Sequence, residues 1–318
     1  MARVACIGVG TVGSGWAAVF ARAGHAVTLF DASADAVSGF AMPRIDATLE
    51  QLQQAMPTGE ALSEIKSRIR PCATLGEAVE DAQLLQESVR EDVEIKRALF
   101  EEIGRLAPPD CLLMSSTSAL PGSRFLAQTR NPERALVAHP VNPPSHIPLV
   151  ELCGTGQTSP DSIEKARVFF IEAGMEPITV NREIDGFILN RLQYTLVAEA
   201  MHLVGEGYCT AEDVDRVITS GLALRWASIG PFMTAHLNAR EGFAGFVGQL
   251  GPMMKKMGKD ARTDYDWTAE MIDTIHTQLS KTQPVETIPA AQAWRDRRIL
   301  TTRQMQAQDD RPAAEPDS

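Results

Sequence analysis

Six histidines are spread through the sequence, and His139 stands where a proton-transfer group is useful. The apolar run Ala135-Leu136-Val137-Ala138 before it reads as a buried strand, and Pro140 closes that strand. An imidazole with an ordinary pKa of about 6.5 can take or give a proton near neutral pH. Glu151 lies near the start of the next apolar run, 150–153. The intervening segment 140–148 could bring the chain back so that this carboxylate reaches the imidazole, orients it and stabilises its charged form. The same spacing also fits a surface histidine and an unrelated acid at a strand edge. Ser115-Ser116-Thr117-Ser118 follows another apolar run. Hydroxyls there could touch a bound ligand, or they could cap a helix or close a turn. Asn190 sits in the mostly apolar helical stretch Gly186-Phe187-Ile188-Leu189-Asn190-Arg191. A buried amide needs partners, and this one could bond a substrate oxygen or tie two helices together.

Such groups need a scaffold, and the first thirty-one residues supply its most legible part. Arg3 to Ile7 reads as a buried strand, followed by Gly8-Val9-Gly10-Thr11-Val12-Gly13 and an apolar helical pattern through Trp16, Val19 and Phe20. A second strand, Ala26 to Phe30, ends at Asp31. Strand, G-x-G-x-x-G, helix, strand and acid form the unit that binds dinucleotides. Gly8 permits the tight turn, Gly10 lets a pyrophosphate approach the backbone, and Gly13 lets helix and strand pack closely. The helix N-terminus, at Thr11 and Val12, offers free N–H groups to the phosphates. Asp31 can accept from the ribose hydroxyls. Its charge, with no Arg or Lys before Arg44, favours NAD over NADP.

Strands alternate with helices as far as about residue 182, which predicts a doubly wound, mostly parallel Rossmann-type sheet of class α/β. Strands are expected at 84–88, 111–115, 135–139, 150–153 and 177–180, and helices at 34–55, 60–68, 91–106 and 161–173. From residue 184 the pattern turns helical, with helices expected at 187–206, 211–220, 231–248 and 269–278. Gly207, Gly221, Gly230-Pro231 and Gly251-Pro252 punctuate them. The organisation expected is a nucleotide-binding domain over 1–183, a helical domain over 184–306 and a frayed polar tail over 307–318.

The 318 residues are 44% hydrophobic and 22% charged, as in ordinary globular proteins, and the net charge of −11 argues against nucleic acid and anionic membranes as main partners. No apolar run is long enough for a transmembrane helix, and the N-terminus runs straight into a strand, leaving no room for a signal peptide. The five cysteines are scattered, which suits reduced thiols in the cytoplasm, and no metal-ligand spacing is present.

Four pieces, GVGTVGSG, SSTS, HPVNPP…PLVEL and DGFILNRL, occur in the order and spacing of the L-3-hydroxyacyl-CoA dehydrogenase superfamily, which the chain resembles over residues 3–240. HPVNPP, IDGFILNRLQY and the run Gly221…Arg225…Ile229-Gly230-Pro231…His236-Leu237-Asn238-Ala239 are similar to its lambda-crystallin branch, whose enzyme is L-gulonate 3-dehydrogenase. The resemblance implies that His139 is the general base with Glu151 as its partner, and that Ser118 and Asn190 hold the reacting oxygen and the imidazole. It further implies that Gly8, Gly10, Gly13 and Asp31 bind NAD, with Glu87 and Lys96 lining the nicotinamide and ribose region. Acyl-CoA members commonly carry S-N-T-S, and Ser116, expected here among the cofactor-binding residues, stands in the place of that Asn. The implied reaction is NAD-dependent oxidation of a small 3-hydroxy acid to the 3-keto acid in a cleft between domains, by a homodimer formed through the helical domain. Arg225 is then expected to bind the substrate carboxylate, from its own or the partner subunit, the plain alternative being a surface arginine that caps a helix. L-Carnitine and acyl-CoA thioesters are rival substrates, and a non-catalytic crystallin-like structural protein is the rival of another class.

Overall fold

The computed structural model describes residues 1–263 and 268–308. The chain divides into two compact units, Met1–Asn190 and a second that begins at Arg191.

The first unit is built on an eight-stranded sheet: β1 (Arg3–Ile7), β2 (Ala26–Phe30), β3 (Ile69–Pro71), β4 (Leu84–Glu87), β5 (Leu112–Ser115), β6 (Ala135–Pro140), β7 (Leu149–Gly154) and β8 (Glu176–Thr179). Their spatial order is β3-β2-β1-β4-β5-β6-β7-β8. Every neighbouring pair is parallel except β6 and β7, which run antiparallel. The mostly parallel, doubly wound sheet expected from the sequence is therefore present. The strand order reverses between β1 and β4, and in such sheets that switch point opens a crevice at the carboxyl ends of the strands. Gly8 follows β1 there and Ser88 follows β4.

The helices of this unit are α1 (Thr11–Arg22), α2 (Met42–Ala55), α3 (Leu62–Ser67), α4 (Leu75–Val79), α5 (Val93–Leu106) and α6 (Pro160–Glu172). Residues 13–21 of α1 are buried without interruption, because the helix is covered on every side. Trp16 stacks on Phe20 with ring centroids 5.2 Å apart, and Phe169 and Phe170 of α6 lie against the pair. Burial of each such ring stabilises the fold by about 1.5–3 kcal/mol, which fixes α1 under the nucleotide turn. Two elements of this unit escaped the sequence reading, as did α12 (Ile288–Gln306) in the next. β3 has three residues and ends in a proline, which only an edge strand tolerates. α4 is a single turn capped by the Thr74 hydroxyl, too short to show a period.

The second unit contains α7 (Leu189–Gly205, its first two residues in the first unit), α8 (Ala211–Val217), α9 (Ala223–Leu237), α10 (Gly242–Met257), α11 (Ala269–Thr282) and α12 (Ile288–Gln306). The Gly230-Pro231 punctuation is a kink inside α9, where Gly230 has φ +68° and ψ 174°. The next break falls at Gly242, φ +65°, whereas Gly251-Pro252 lies inside α10. Proline marks a probable boundary, not a certain one. Few side chains of this unit are buried among the described residues: Ala198, Met201, Val204, Ala211, Thr234, Met271 and Leu300. Phe232, Leu237, Phe243, Val247 and Met254 are exposed. The tail expected from residue 307 lies, from residue 309 on, outside the described residues. Among the described residues no helix is long and apolar enough to cross a membrane.

Candidate active site

The turn after β1 is shaped by its glycines. Gly8 has φ +82°, and a Cβ on it would lie 2.7 Å from the backbone of Ser88 and Val89. A Cβ on Gly13 would lie 1.9 Å from the carbonyl oxygen of Gly8. These two contacts lock turn, helix and β4 together. A Cβ on Gly10 would meet nothing within 4 Å. No side chain caps α1, so the N–H groups at Thr11 and Val12 face that open space without a side-chain acceptor. Asp31 stands at the end of β2, its two carboxylate oxygens accepting from the Val9 and Ser33 N–H groups at 3.0 Å each.

The antiparallel ladder between β6 and β7 places His139 directly opposite Glu151. Both are enclosed, at 4% and 1% exposure, with Nδ1 of the ring 2.8 Å from Oε2 of the carboxylate. The other oxygen, Oε1, accepts from the N–H groups of Ile188 and Leu189 at 2.9 and 3.1 Å. Phe187, buried and with φ +49°, lies 5.3 Å from the imidazole. An ionised carboxylate only accepts, so a neutral His139 carries its hydrogen on Nδ1 and a lone pair on Nε2. Among the described residues Nε2 has no hydrogen-bond partner. Of the two readings open from spacing, the paired one is what the fold builds.

The segment after β5 is the third part. Ser118 is exposed, and its carbonyl accepts from the side-chain amide of Asn190 at 2.7 Å. Asn190 thus ties the start of α7 to this segment, not helix to helix as one sequence reading had it. The Gly186 N–H donates to the carbonyl of Ala119. The sequence puts the change of pattern at 184, whereas residues 186–190 bond back to the sheet unit. Glu91, absent from the sequence candidates, holds the same segment: its Oε1 accepts from the Thr117 hydroxyl at 2.6 Å and from the Ser118 and Ala119 N–H groups at 2.8 and 3.0 Å. The signal that could have found it is an acid just past β4, beside a Ser/Thr run just past the neighbouring strand.

Three candidates take other parts. Glu87 and Lys96 form an ion pair at 2.8 Å with 0% and 1% exposure. The Ser115 hydroxyl and the Val89 N–H fill out the carboxylate. Charges so enclosed must satisfy each other, so neither side chain lines an open surface. Ser116 is also occupied: Trp16 Nε1 and Gln86 Nε2 donate to its hydroxyl at 3.0 and 2.7 Å, and Ser88 completes the set at 2.8 Å. That is the full capacity of one hydroxyl, so Ser116 braces the strand ends from beneath. Arg225 lies exposed in the first turn of α9, in the second unit, with no ion-pair partner among the described residues.

All five cysteines are free thiols, and burial pushes Cys153 up to about 11 and Cys111 up to about 12, which removes them as thiolate nucleophiles. Among the described residues no group of three or more His, Cys, Asp or Glu side chains could hold a metal ion.

Two family profiles cover most of the chain: 3-hydroxyacyl-CoA dehydrogenase, NAD binding domain, over residues 3–184, and the C-terminal domain of the same family over 186–285. The chain belongs to the 3-hydroxyacyl-CoA dehydrogenase family. Within it, a lambda-crystallin homolog of Bos taurus is 37% identical over 308 residues, 96% of each chain. An L-carnitine dehydrogenase of Streptomyces griseus is 39% identical over 253 residues, 79% of this chain and 74% of that one. Among solved structures, 5-formyl-3-hydroxy-2-methylpyridine 4-carboxylic acid 5-dehydrogenase, an NAD+ dependent dismutase, matches with a TM-score of 0.78 at 26% identity, covering 98% of this chain and 100% of that one. Family members are NAD-dependent dehydrogenases that act on 3-hydroxy groups. The cofactor is NAD, and the residues present fit it: open space above Gly10, uncapped N–H groups at the start of α1, and a carboxylate where the ribose hydroxyls of a bound dinucleotide fall.

Asp31 sets an expected cofactor preference. Its carboxylate would repel a 2′-phosphate, and Arg44, the first cation after it, has its guanidinium over the Phe40 ring at 5.7 Å. Like charges about 4 Å apart at the protein surface oppose each other by roughly 4 kcal/mol. The ratio of kcat/KM for NAD over NADP should therefore be about 100 or more, and equal values would remove this role from Asp31.

Proposed function

We propose that the chain oxidises a small, free 3-hydroxy acid to the 3-keto acid, with L-gulonate the first substrate to test. The observation that carries this reading is the enclosed His139–Glu151 pair, with Nε2 left as a lone pair at the carboxyl end of β6. In this reading Gly8, Gly10, Thr11, Val12, Gly13 and Asp31 hold NAD. When bound, NAD supplies the acceptor for the hydride that leaves the carbinol carbon. His139 takes the hydroxyl proton at Nε2, and Glu151 supports the imidazolium through Nδ1. Ser118 and Asn190 hold the substrate oxygen and the ring. A β-keto aldonate product could then lose carbon dioxide unaided.

Charge on the helices after Asp31 favours a small acid over a CoA thioester. Lys66 is bonded to Asp46 and Glu50 at 3.0 and 3.1 Å, Arg68 to Glu60 at 2.7 Å, and Arg70 to Glu77 at 2.7 Å. Cations already matched by local acids offer little to CoA phosphates. The named substrates of two relatives, carnitine and the pyridine carboxylic acid, both carry a free carboxylate. L-Carnitine is the second reading, favoured by that relative's identity and by Trp226 beside Arg225, since an aromatic face can receive a quaternary ammonium. A purely structural role would not need the His139–Glu151 pair, which buries a charge.

Arg225 supplies the carboxylate contact in this proposal. A guanidinium pairs bidentately with a carboxylate, and loss of such a pair costs about 1.5–3 kcal/mol. Arg225→Met should raise KM for the hydroxy acid roughly ten- to a hundredfold, with Arg225→Lys in between. A thioester substrate should be far less sensitive. A panel of L-gulonate, L-carnitine and 3-hydroxybutyryl-CoA at fixed NAD, run on wild type and Arg225→Met, tests both points. Preference for the thioester, or an unchanged KM for the acid in the variant, would overturn the small-acid reading.

The helical unit is proposed to dimerise with a second copy of the chain. Its few buried side chains, and the exposed Phe232 and Phe243 with ring centroids 5.9 Å apart, support this reading, since grouped exposed apolar side chains mark interaction surfaces.

A further inference from the structure

Ser88 is the first residue beyond β4, at the switch point of the sheet, and its neighbours fix which way its hydroxyl hydrogen can go. Trp16 Nε1, which can only donate, lies 3.0 Å from the Ser116 hydroxyl oxygen. Gln86 Nε2 lies 2.7 Å from the same oxygen and 3.3 Å from the carbonyl oxygen of Ala138. A carbonyl only accepts, so the Gln86 atom between the two is its NH2 and not its amide oxygen. Ser116 thus receives two hydrogens, which engages both of its lone pairs. Its third neighbour is the Ser88 oxygen at 2.8 Å, and the one hydrogen left for that bond is its own. Ser116 donates there and Ser88 accepts. The Ser88 hydrogen is then turned away from Ser116, and among the described residues no acceptor takes it. Gln86 Oε1, buried and without a partner among these residues, is beyond hydrogen-bond distance.

Ser88 lies against the glycine turn. A Cβ on Gly13 would be 3.5 Å from the Ser88 Cβ, and one on Gly8 would be 2.7 Å from the Ser88 carbonyl carbon. At this turn the N–H groups of Thr11 and Val12 also lack a side-chain acceptor, so the groups presented together are donors. We propose that the Ser88 hydroxyl donates to the diphosphate of bound NAD, and that a one-way relay from Trp16 through Ser116 commits it to do so. The donors that set the direction are held by packing: Trp16 is wholly buried and stacked on Phe20, and Gln86 is 1% exposed. An isolated serine hydroxyl can turn to donate or to accept, whereas this one keeps a hydrogen for an acceptor-only partner. Ser116 then serves the cofactor at one remove, as a positioning residue behind Ser88. The inference rests on NAD as the cofactor and not on the choice of hydroxy acid.

Binding measured by calorimetry, without any hydroxy acid, tests it independently of the substrate. Ser88→Ala removes one half-buried hydroxyl, and the chain should still fold. Its Kd for NAD should rise by about fivefold or more, as expected for a lost hydrogen bond to a charged group, and a smaller rise would overturn the proposal. ADP-ribose keeps the diphosphate and lacks the nicotinamide, so its penalty should match that of NAD within about twofold. Adenosine lacks the diphosphate and should bind wild type and variant equally within about twofold. A penalty confined to NAD would move the contact to the nicotinamide, and one shared by adenosine would reveal a purely structural role, so either result overturns the assignment. Ser116→Ala should raise the Kd for NAD by about threefold or more in the wild-type background and by less than about 1.5-fold in Ser88→Ala, because its effect passes through Ser88. Equal factors in the two backgrounds would overturn the relay. Ser116→Ala also strips Trp16 and Gln86 of their acceptor. If it does not fold, Trp16→Phe, which removes the first donor and keeps a stacked ring, takes its place with the same two expectations.

Discussion

Alanine at position 139 leaves a protein that folds and binds NAD but turns over its hydroxy acid about a hundred- to ten-thousandfold more slowly. Among the described residues the imidazole is the one group with a lone pair at Nε2 and an enclosed carboxylate at Nδ1. Its removal takes the partner of Glu151 Oε2, but Oε1 keeps the Ile188 and Leu189 N–H groups, and water entering the vacated space can supply the lost donor. Some stability is lost with the Phe187 contact, about 1–3 kcal/mol, which a thermal melt would register without loss of cooperativity. The nucleotide turn is formed by Gly8, Gly10 and Gly13 with Asp31, none of which bonds to His139, so the Kd for NAD should change less than about threefold. Retention of a tenth of wild-type kcat would mean that another residue is the base.

The second large effect is expected of Glu151→Gln. The carboxylate accepts on both oxygens, from His139 on one and from two backbone N–H groups on the other. An amide can accept on only one side. If its carbonyl serves Ile188 and Leu189, its NH2 faces Nδ1, which must then present a lone pair. The ring hydrogen moves to Nε2, and the base is lost by tautomer although the geometry is intact. The comparable change in a serine protease triad costs on the order of ten-thousandfold, and here roughly 10²–10⁴ in kcat is expected at neutral pH. A 15N spectrum of the labelled imidazole would report the tautomer. A loss below about threefold at neutral pH would show that Glu151 only holds the start of α7.

The nucleotide unit was legible in the sequence because each of its requirements is local: three glycines, a strand on each side and an acid at the end of the second. The His139–Glu151 pair was not fixed by spacing. Its partnership depends on the register of an antiparallel ladder, and segment 140–148 allows more than one register until the strands pair. Resemblance, not periodicity, singled it out. Ser116, Glu87 and Lys96 were placed near the right strand ends, but whether a side chain there points out or in depends on packing across strands that are far apart in sequence. Glu91 escaped because its partners come from residues 117–119, beyond a full helix and strand. In the helical unit, Gly251-Pro252 stays helical, and α12 gave no strong period because its apolar residues do not gather on one face.

The pairing of His139 and Glu151 across a single antiparallel ladder makes the acid–base couple a property of one hairpin. The ladder fixes both residues on the same face, and the residues between them, 141–148, close the hairpin without entering that pairing. Within this segment, Pro144 packs against Gly15, where a Cβ would lie 2.8 Å from its ring, so that contact is constrained. Ser145 and His146 beside it are buried and bonded to each other at 2.9 Å, whereas Asn142 is exposed and Val141, Pro143, Ile147 and Pro148 are half-buried. Evolution can therefore exchange the open positions of the loop without separating base from partner, so that substrate preference drifts while proton transfer is inherited unchanged.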